Sequence, residues 1–128
     1  MWQRQLLWID GAAGLSAGLL FLSWRQELSA LYQLPPALLT FGASANLLYA
    51  SFALSLAMWR SRSMVWVKTL ICANAVWSAL CAFGAAWCLR HASIWSVAHL
   101  LAECGFVGSL SAYEWRYRQA LALSSRSI

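Results

Sequence analysis

Charge is the property that this sequence has least of. Its 128 residues include nine Lys or Arg, four Asp or Glu and two His, so that 10% are charged while 62% are hydrophobic. A soluble domain of this size needs roughly a quarter of its residues charged to cover its surface. The shortage excludes a soluble enzyme and a secreted disulfide-rich domain, and it predicts a protein whose solvent is the lipid bilayer.

Paired cysteines are also missing. The sequence contains no Cys-x-x-Cys motif and no histidine at zinc-ligand spacing from any of its four cysteines, Cys72, Cys81, Cys88 and Cys104. We interpret the cysteines as small apolar residues. The sequence therefore predicts no metal site, no bound cofactor and no catalytic machinery.

Four long apolar runs take up most of the chain, at about residues 6–24, 36–59, 64–89 and 94–115. Each can cross a hydrocarbon core ~30 Å thick at 1.5 Å per residue, and none alternates as a barrel strand does. Because the loops at 60–63 and 90–93 are short, we predict an all-α protein with one transmembrane domain, an antiparallel four-helix bundle. Residues from about 119 to 128 are predicted to form a disordered tail.

Lysine and arginine are unevenly distributed over the loops. Two of them, Arg25 and Arg90, lie on one side of the predicted membrane, and seven lie on the other: Arg4, Arg60, Arg62, Lys68, Arg116, Arg118 and Arg126. The positive-inside rule predicts that both termini are cytoplasmic. Because these cations mark span ends instead of forming one patch, the net charge of +5 does not indicate a nucleic-acid partner.

The first outer loop, residues 25–35, has Leu28, Leu31 and Leu34 at helix-like spacing before Pro35. This pattern predicts a short amphipathic segment that lies at the membrane surface as a connector. A lid over an outward-facing cavity is the alternative interpretation.

Small residues recur at helical spacing in two spans. Gly14 and Gly18 form a Gly-x-x-x-Gly motif in the first span, and Gly105 belongs to a stripe in the fourth, with Ala98, Ala102, Ser109 and Ala112. Such stripes allow helices to approach closely in membranes. We expect these glycines at helix contacts, either inside the bundle or between copies of the chain.

Polar side chains inside the spans are the strongest functional signal, because they are costly in lipid. Four of them fall near the bilayer midplane on three helices: Asn46, Asn74, His99 and Glu103. His99 and Glu103 are spaced i, i+4, so an imidazole can meet a carboxyl on one helix face. We predict that the four residues form one intramembrane polar cluster.

Two further acids lie closer to the predicted cytoplasmic ends. Asp10, ~6 Å inside the boundary, is expected to pair with Arg4, Lys68 or Arg116. Glu114 adjoins the basic end of the fourth span and is expected to be interfacial.

Three functions fit these features. The first is a self-associating or accessory membrane subunit, in which the polar cluster fixes helix packing and the partners are lipid and a second copy or a larger membrane complex. The alternative is a small oligomeric transporter or channel that uses Glu103 and His99 for proton or cation coupling. The second alternative is a quinone or haem carrier that uses Trp77, His99 and Glu103.

Short motifs lie at or within the predicted spans: Leu7-Trp8-Ile9-Asp10, Tyr32-Gln33-Leu34-Pro35, Ala73-Asn74-Ala75-Val76-Trp77, Ala102-Glu103 and Ala112-Tyr113-Glu114. On these motifs the chain resembles a group of small four-helix proteobacterial inner-membrane proteins, and it is similar in topology to DoxX-like proteins. The resemblance implies a bacterial inner-membrane location and an acidic residue in the first span, here Asp10. It implies no activity.

Overall fold

The computed structural model describes residues 2–59 and 61–122, without the side chains of residues 2–4. In chain order its helices are α1 (Trp2–Ser23), α2 (Arg25–Tyr32), α3 (Pro36–Met58), α4 (Met64–His91), α5 (Ile94–Arg116) and α6 (Arg118–Leu121). No strand occurs in these two ranges. The predicted all-α class is confirmed.

Four of the helices are long and apolar enough to cross a membrane, over Gln5–Ser23, Pro36–Met58, Met64–His91 and Ile94–Arg116. Only 17–39% of each apolar stretch is buried inside the protein. Large side chains such as Leu48, Phe83 and Ile94 point outward and are 69–77% exposed. Apolar surface of this extent requires lipid around it, so the chain is a multi-pass membrane protein.

The helix ends follow from local sequence. Pro36 opens α3, where a missing N–H costs nothing, and the Ser63 hydroxyl accepts a hydrogen bond from the Trp66 N–H at 3.4 Å to cap α4. Gln33 ends α2 in the left-handed region at φ 55°. These residues end one helix and begin the next within a few positions, so the connections between the helices are short.

Helices α1 and α3 pack closely and run antiparallel, since Gly11, Gly14 and Gly18 face Leu54, Ala50 and Leu47 in reverse order. A Cβ on Gly14 would lie 3.3 Å from the Ala50 Cβ, and one on Gly18 would lie 3.1 Å from the Ala43 carbonyl oxygen. The structure thus places Gly14 and Gly18 at a helix contact inside the protein.

Gly105 differs from these two glycines. No atom lies within 4 Å of a Cβ built on it, so its expected packing role is not found inside the described part of the chain. The rest of its stripe, Ala98, Ala102, Ser109 and Ala112, is also exposed. The reason is that α5 turns a different face, with Gly108 and Ser111, toward α4.

Helices α4 and α5 form the second antiparallel pair. The Ser78 hydroxyl donates to the Cys104 carbonyl at 2.9 Å, and the Ser111 hydroxyl donates to the Ile71 carbonyl at 3.2 Å. Each hydroxyl thus forms a hydrogen bond with the backbone of the partner helix, as polar side chains between membrane helices do. The fold therefore consists of two helix hairpins, α1–α3 and α4–α5.

The hairpins meet at one apolar cluster, which draws on α1, α3, α4 and α6. This end cluster comprises Leu7, Ala53, Leu56, Val67, Leu70, Ile71 and Leu121. A smaller cluster at the opposite end, Ala85, Cys88 and Val97, lies within the α4–α5 hairpin, and Leu34 packs against it from the segment before α3.

The segment after the fourth span is more ordered than predicted. Residues 118–121 form α6, and Leu121 is fully buried in the end cluster because its side chain completes an apolar contact with Leu7. The prediction of disorder from about residue 119 is therefore wrong for 119–121. Residues 123–128 lie outside the described part of the chain.

Arg62 connects two helices next to the end cluster. Its guanidinium is buried and donates to the Leu121 carbonyl at 2.8 Å and to the Leu56 carbonyl at 3.0 Å. A cation at the carbonyl end of α3 interacts favourably with the negative end of the helix dipole. The residue therefore links α3 to α6, which its loop position in the sequence did not indicate.

Candidate functional site

A cavity of about 420 Å³ separates the two hairpins. All four spans contribute to its lining. The polar residues among its lining are Asp10, Asn46, Tyr49, Asn74, Trp77, His99 and Glu103. The cavity thus brings together the four residues of the predicted cluster and Asp10.

Glu103 is the centre of a hydrogen-bonded triad in this cavity. The Trp77 indole Nε1–H donates to Glu103 Oε1 at 2.7 Å, and His99 Nε2 lies 2.9 Å from Oε2. The i, i+4 contact between His99 and Glu103 is the one that the spacing predicted. Trp77 belongs to α4 and the other two residues belong to α5, so the triad links the two helices of the second hairpin.

The triad is accessible from inside the protein. The side chain of His99 is 32% exposed and that of Glu103 is 14% exposed, and both line the cavity. His99 Nδ1 forms no hydrogen bond with the described residues. The imidazole therefore offers one ring nitrogen to a molecule in the cavity.

Two aromatic rings hold the His99 imidazole in place. Phe21 meets it edge-on with ring centroids 4.9 Å apart, and Tyr32 lies 5.6 Å away at a tilt of 30°. Burial, followed by the nearby Glu103 carboxylate, raises the pKa of Tyr32 above its usual value. The phenol therefore stays protonated and can donate a hydrogen bond at any physiological pH.

A second cavity, of about 340 Å³, continues from the triad toward α2 and shares Trp77, His99 and Glu103 with the first. Its walls come from α3 on one side and α4 on the other, with Phe41 and Leu80 among them. Both side chains are more than half exposed on the membrane-facing surface. This second cavity therefore reaches the lipid laterally, between α3 and α4.

Helix α2 covers the outer end of the second cavity. Its last residue, Tyr32, lines the cavity, and its end is tied to the α4–α5 turn because Ser93 donates its N–H to the Tyr32 carbonyl and its hydroxyl to the Leu31 carbonyl, at 3.2 and 2.8 Å. No residue of α2 is fully buried. The segment thus forms part of the wall of the second cavity, and its placement at the membrane surface stays a prediction.

Asp10 belongs to a second polar group, the carboxyl pair. It accepts hydrogen bonds from the Tyr49 hydroxyl and from Asn74 Nδ2, the latter at 3.0 Å, and the same Nδ2 donates to Glu114 Oε2 at 3.0 Å. Asp10 is 3% exposed and Glu114 is fully buried. One amide therefore bridges two buried carboxyl groups from α1 and α5.

The predicted cluster is thus divided within one cavity. Asn74 bonds the carboxyl pair and not Glu103, because it lies about one turn from Trp77 toward the start of α4. Asn46 donates to the Gly42 carbonyl at 3.0 Å and lines the cavity beside Glu103.

The structure bears on both expectations for the acids. Among described residues the one ion pair is His99–Glu103, so Asp10 pairs with neither Lys68 nor Arg116. The third predicted partner, Arg4, has its side chain outside the described part of the chain. Glu114 is not interfacial, because α5 turns it inward against Asn74. Its separation of 11 residues from Glu103, about three helical turns, is a signal that could have placed both acids on one face.

Comparison with protein-family models, with curated proteins and with solved structures gives no match to this chain. The class of protein is therefore defined by its fold and by the geometry of its cavity. The chain is a multi-pass helical membrane protein with a polar-centred cavity between two hairpins.

Proposed function

We propose that this protein is a non-catalytic membrane protein that binds a lipid-soluble molecule of the quinone class between its two hairpins. The observation that carries the proposal is the meeting of two cavities at Trp77, His99 and Glu103. Ligand sites are typically apolar clefts of about 300–1,000 Å³ with a few convergent polar groups. The cavities match that description in volume and in lining.

The lateral opening supports entry from the bilayer. A ligand with a long apolar tail can leave the tail between Phe41 and Leu80, in contact with lipid, while its head lies on the triad. No aqueous route is needed for such a molecule. A water-soluble substrate would instead meet the exposed apolar rim of the second cavity.

The polar groups at the triad suit a head with carbonyl or hydroxyl oxygens. The Tyr32 hydroxyl and His99 Nδ1 form no hydrogen bond with the described residues, and both adjoin the second cavity. A quinone carbonyl accepts from a phenol, and a quinol hydroxyl donates to a neutral imidazole nitrogen. The triad would then hold the imidazole while Nδ1 and Tyr32 contact the head.

Proton- or cation-coupled transport through Glu103 and His99 receives less support from the geometry. Both carboxyl oxygens of Glu103 are occupied, by Trp77 and His99. A transported cation would have to displace one of these contacts.

Self-association is the second candidate function. The stripe containing Gly105 has no partner among the described residues and lies on α5, the span with the smallest buried share, 17%. Small residues on an outward face allow another helix to approach closely. A second copy of this chain would fit that face.

The location is also part of the proposal. The seven-to-two asymmetry of Lys and Arg supports cytoplasmic termini, and the sequence resemblance supports the bacterial inner membrane. The described end cluster would then face the cytoplasm, and α2 would face the periplasm.

A short-chain alkyl benzoquinone tests the proposed binding, because quinones quench tryptophan fluorescence on contact. In lipid nanodiscs we expect saturable quenching of the wild type. Trp77→Phe should reduce the saturable component and weaken its apparent affinity, since it deletes a cavity fluorophore and a donor to Glu103, while Trp87 in the second cavity still reports a bound quinone. Trp95→Phe, at a lipid-facing position that is 60% exposed, is the matched control and should keep it. Linear, non-saturating quenching that is the same in all three proteins would refute the site.

A further inference from the structure

The carboxyl pair, Asp10 and Glu114, lies outside the proposed ligand contacts and has a chemistry of its own. Its members come from α1 and α5, and both are at least 97% buried, with exposures of 3% and 0%. Two negative charges at this depth, close enough to share one amide, would repel each other strongly in a medium of low dielectric constant. Some positive species must compensate them.

The hydrogen bonds made by the two carboxyl groups indicate which positive species this is. Asn74 gives one amide hydrogen to each carboxyl, and the Tyr49 hydroxyl donates to Asp10. Glu114 Oε1 is buried and has no hydrogen-bond partner among the described residues. A fully buried carboxyl oxygen without a donor is costly as part of an anion, which favours a protonated pair.

The described side chains do not supply the compensation. Among them, the titratable groups that face the pair are each other and Tyr49. Helix α4 contributes the neutral Asn74, and Arg62 donates to backbone carbonyls of α3 and α6. Within residues 5–59 and 61–122, no Lys, Arg or His nitrogen lies within 4.0 Å of either carboxyl.

The pair borders the central cavity on one side. Asp10 and Asn74 line this cavity, whereas the end cluster, with Leu7, Val67 and Leu121 fully buried, is apolar. The cavity therefore gives a small ion a polar route to the pair.

We propose that Asp10 and Glu114 form a proton-binding site, in which one proton is shared by the two carboxyl groups and exchanges through the central cavity. Binding adds one proton from water to the dianionic pair, and release returns it to water, so no other reactant is needed. Two carboxyls that share a site ionise as a pair. The site does not depend on the proposed quinone, because Asn74 and Tyr49 hold the pair and neither belongs to the Trp77–His99–Glu103 triad.

Infrared spectroscopy of the full chain in lipid nanodiscs tests the proposal. The sequence contains only four acidic side chains, Asp10, Glu27, Glu103 and Glu114, so each can be removed in turn. We expect the wild type at neutral pH to show a protonated carboxyl C=O band. Glu114→Gln and Asp10→Asn should each abolish it, because a single carboxyl with amide donors can ionise alone. Glu27→Gln, on the exposed α2, should leave it unchanged.

Other outcomes decide against the shared site. A band lost only in Glu103→Gln would assign the proton to the triad, and a band lost in only one of the two pair variants would indicate an isolated buried acid. No band in wild type at neutral pH, with or without sodium, would mean that the pair is ionised. Tyr49→Phe keeps the fold testable if either pair variant fails to assemble: it should shift the frequency of the band, since it deletes a donor to Asp10, and an unshifted band would overturn the assignment.

Discussion

Glu103→Leu is expected to abolish quinone binding and to destabilise the protein. The substitution leaves the Trp77 indole N–H of α4 without its partner on α5, and it leaves His99 Nε2 without its partner on the same helix. A lost interhelical hydrogen bond in a membrane protein costs about 1–2 kcal/mol, and here one such bond, from Trp77, is lost. The measurements are the thermal unfolding of the purified protein in nanodiscs and the saturable quenching by the alkyl benzoquinone.

Glu103→Gln is the matched control for this substitution. Its amide keeps an acceptor for Trp77 and a donor for His99, so we expect a nearly normal fold and at most about a tenfold loss of affinity, equivalent to one hydrogen bond. If Glu103→Leu unfolded at the wild-type temperature and still bound the quinone, the triad would have neither of the roles assigned to it. If both variants lost the same stability and still bound the quinone as the wild type does, Glu103 would have a packing role and no role in ligand binding.

Gly18→Leu is expected to separate α1 from α3. A Cβ at this position would lie 2.7 Å from the Leu47 Cγ and 3.1 Å from the Ala43 carbonyl oxygen, and the backbone atom cannot move aside. Overpacking of this kind costs about 1–3 kcal/mol. Size-exclusion chromatography and thermal unfolding in detergent measure the loss.

Gly105→Leu controls for the added leucine, because it places the same side chain in the same kind of helix where no described atom lies within 4 Å. The monomer should keep its wild-type stability. A fall in oligomer size in native mass spectrometry would support self-association through α5, whereas an unchanged size would remove that face from consideration. If Gly18→Leu behaved like Gly105→Leu, the α1–α3 contact would be wrong.

The spans could be predicted from the sequence because bilayer thickness fixes their length, and the helices found lie within a few residues of the predicted runs. The His99–Glu103 contact was predictable for a similar reason: it lies within one helix, where an i, i+4 spacing determines proximity. Gly14 and Gly18 also contact a neighbouring helix, as the motif indicated.

Contacts between helices were harder to predict, because they depend on the rotation of each helix about its axis. The depth of Asn74 gave its layer but not its partner, and its amide bonds Asp10 and Glu114 instead of Glu103. Gly105 shows the same effect, since no described atom lies within 4 Å of a Cβ built on it. Arg62 was assigned to a loop by composition, and only the structure shows its guanidinium under α3 and α6.

Photoaffinity labelling tests the proposed ligand site most directly. A benzoquinone with a diazirine on its alkyl tail would be added to the wild type in nanodiscs, irradiated, and its attachment points mapped by mass spectrometry. Labels on cavity residues such as Leu39 and Leu100, suppressed by excess unmodified quinone, are the predicted result. Labels spread over outward-facing residues such as Leu48, Val76 and Phe83, without competition, would contradict the proposal.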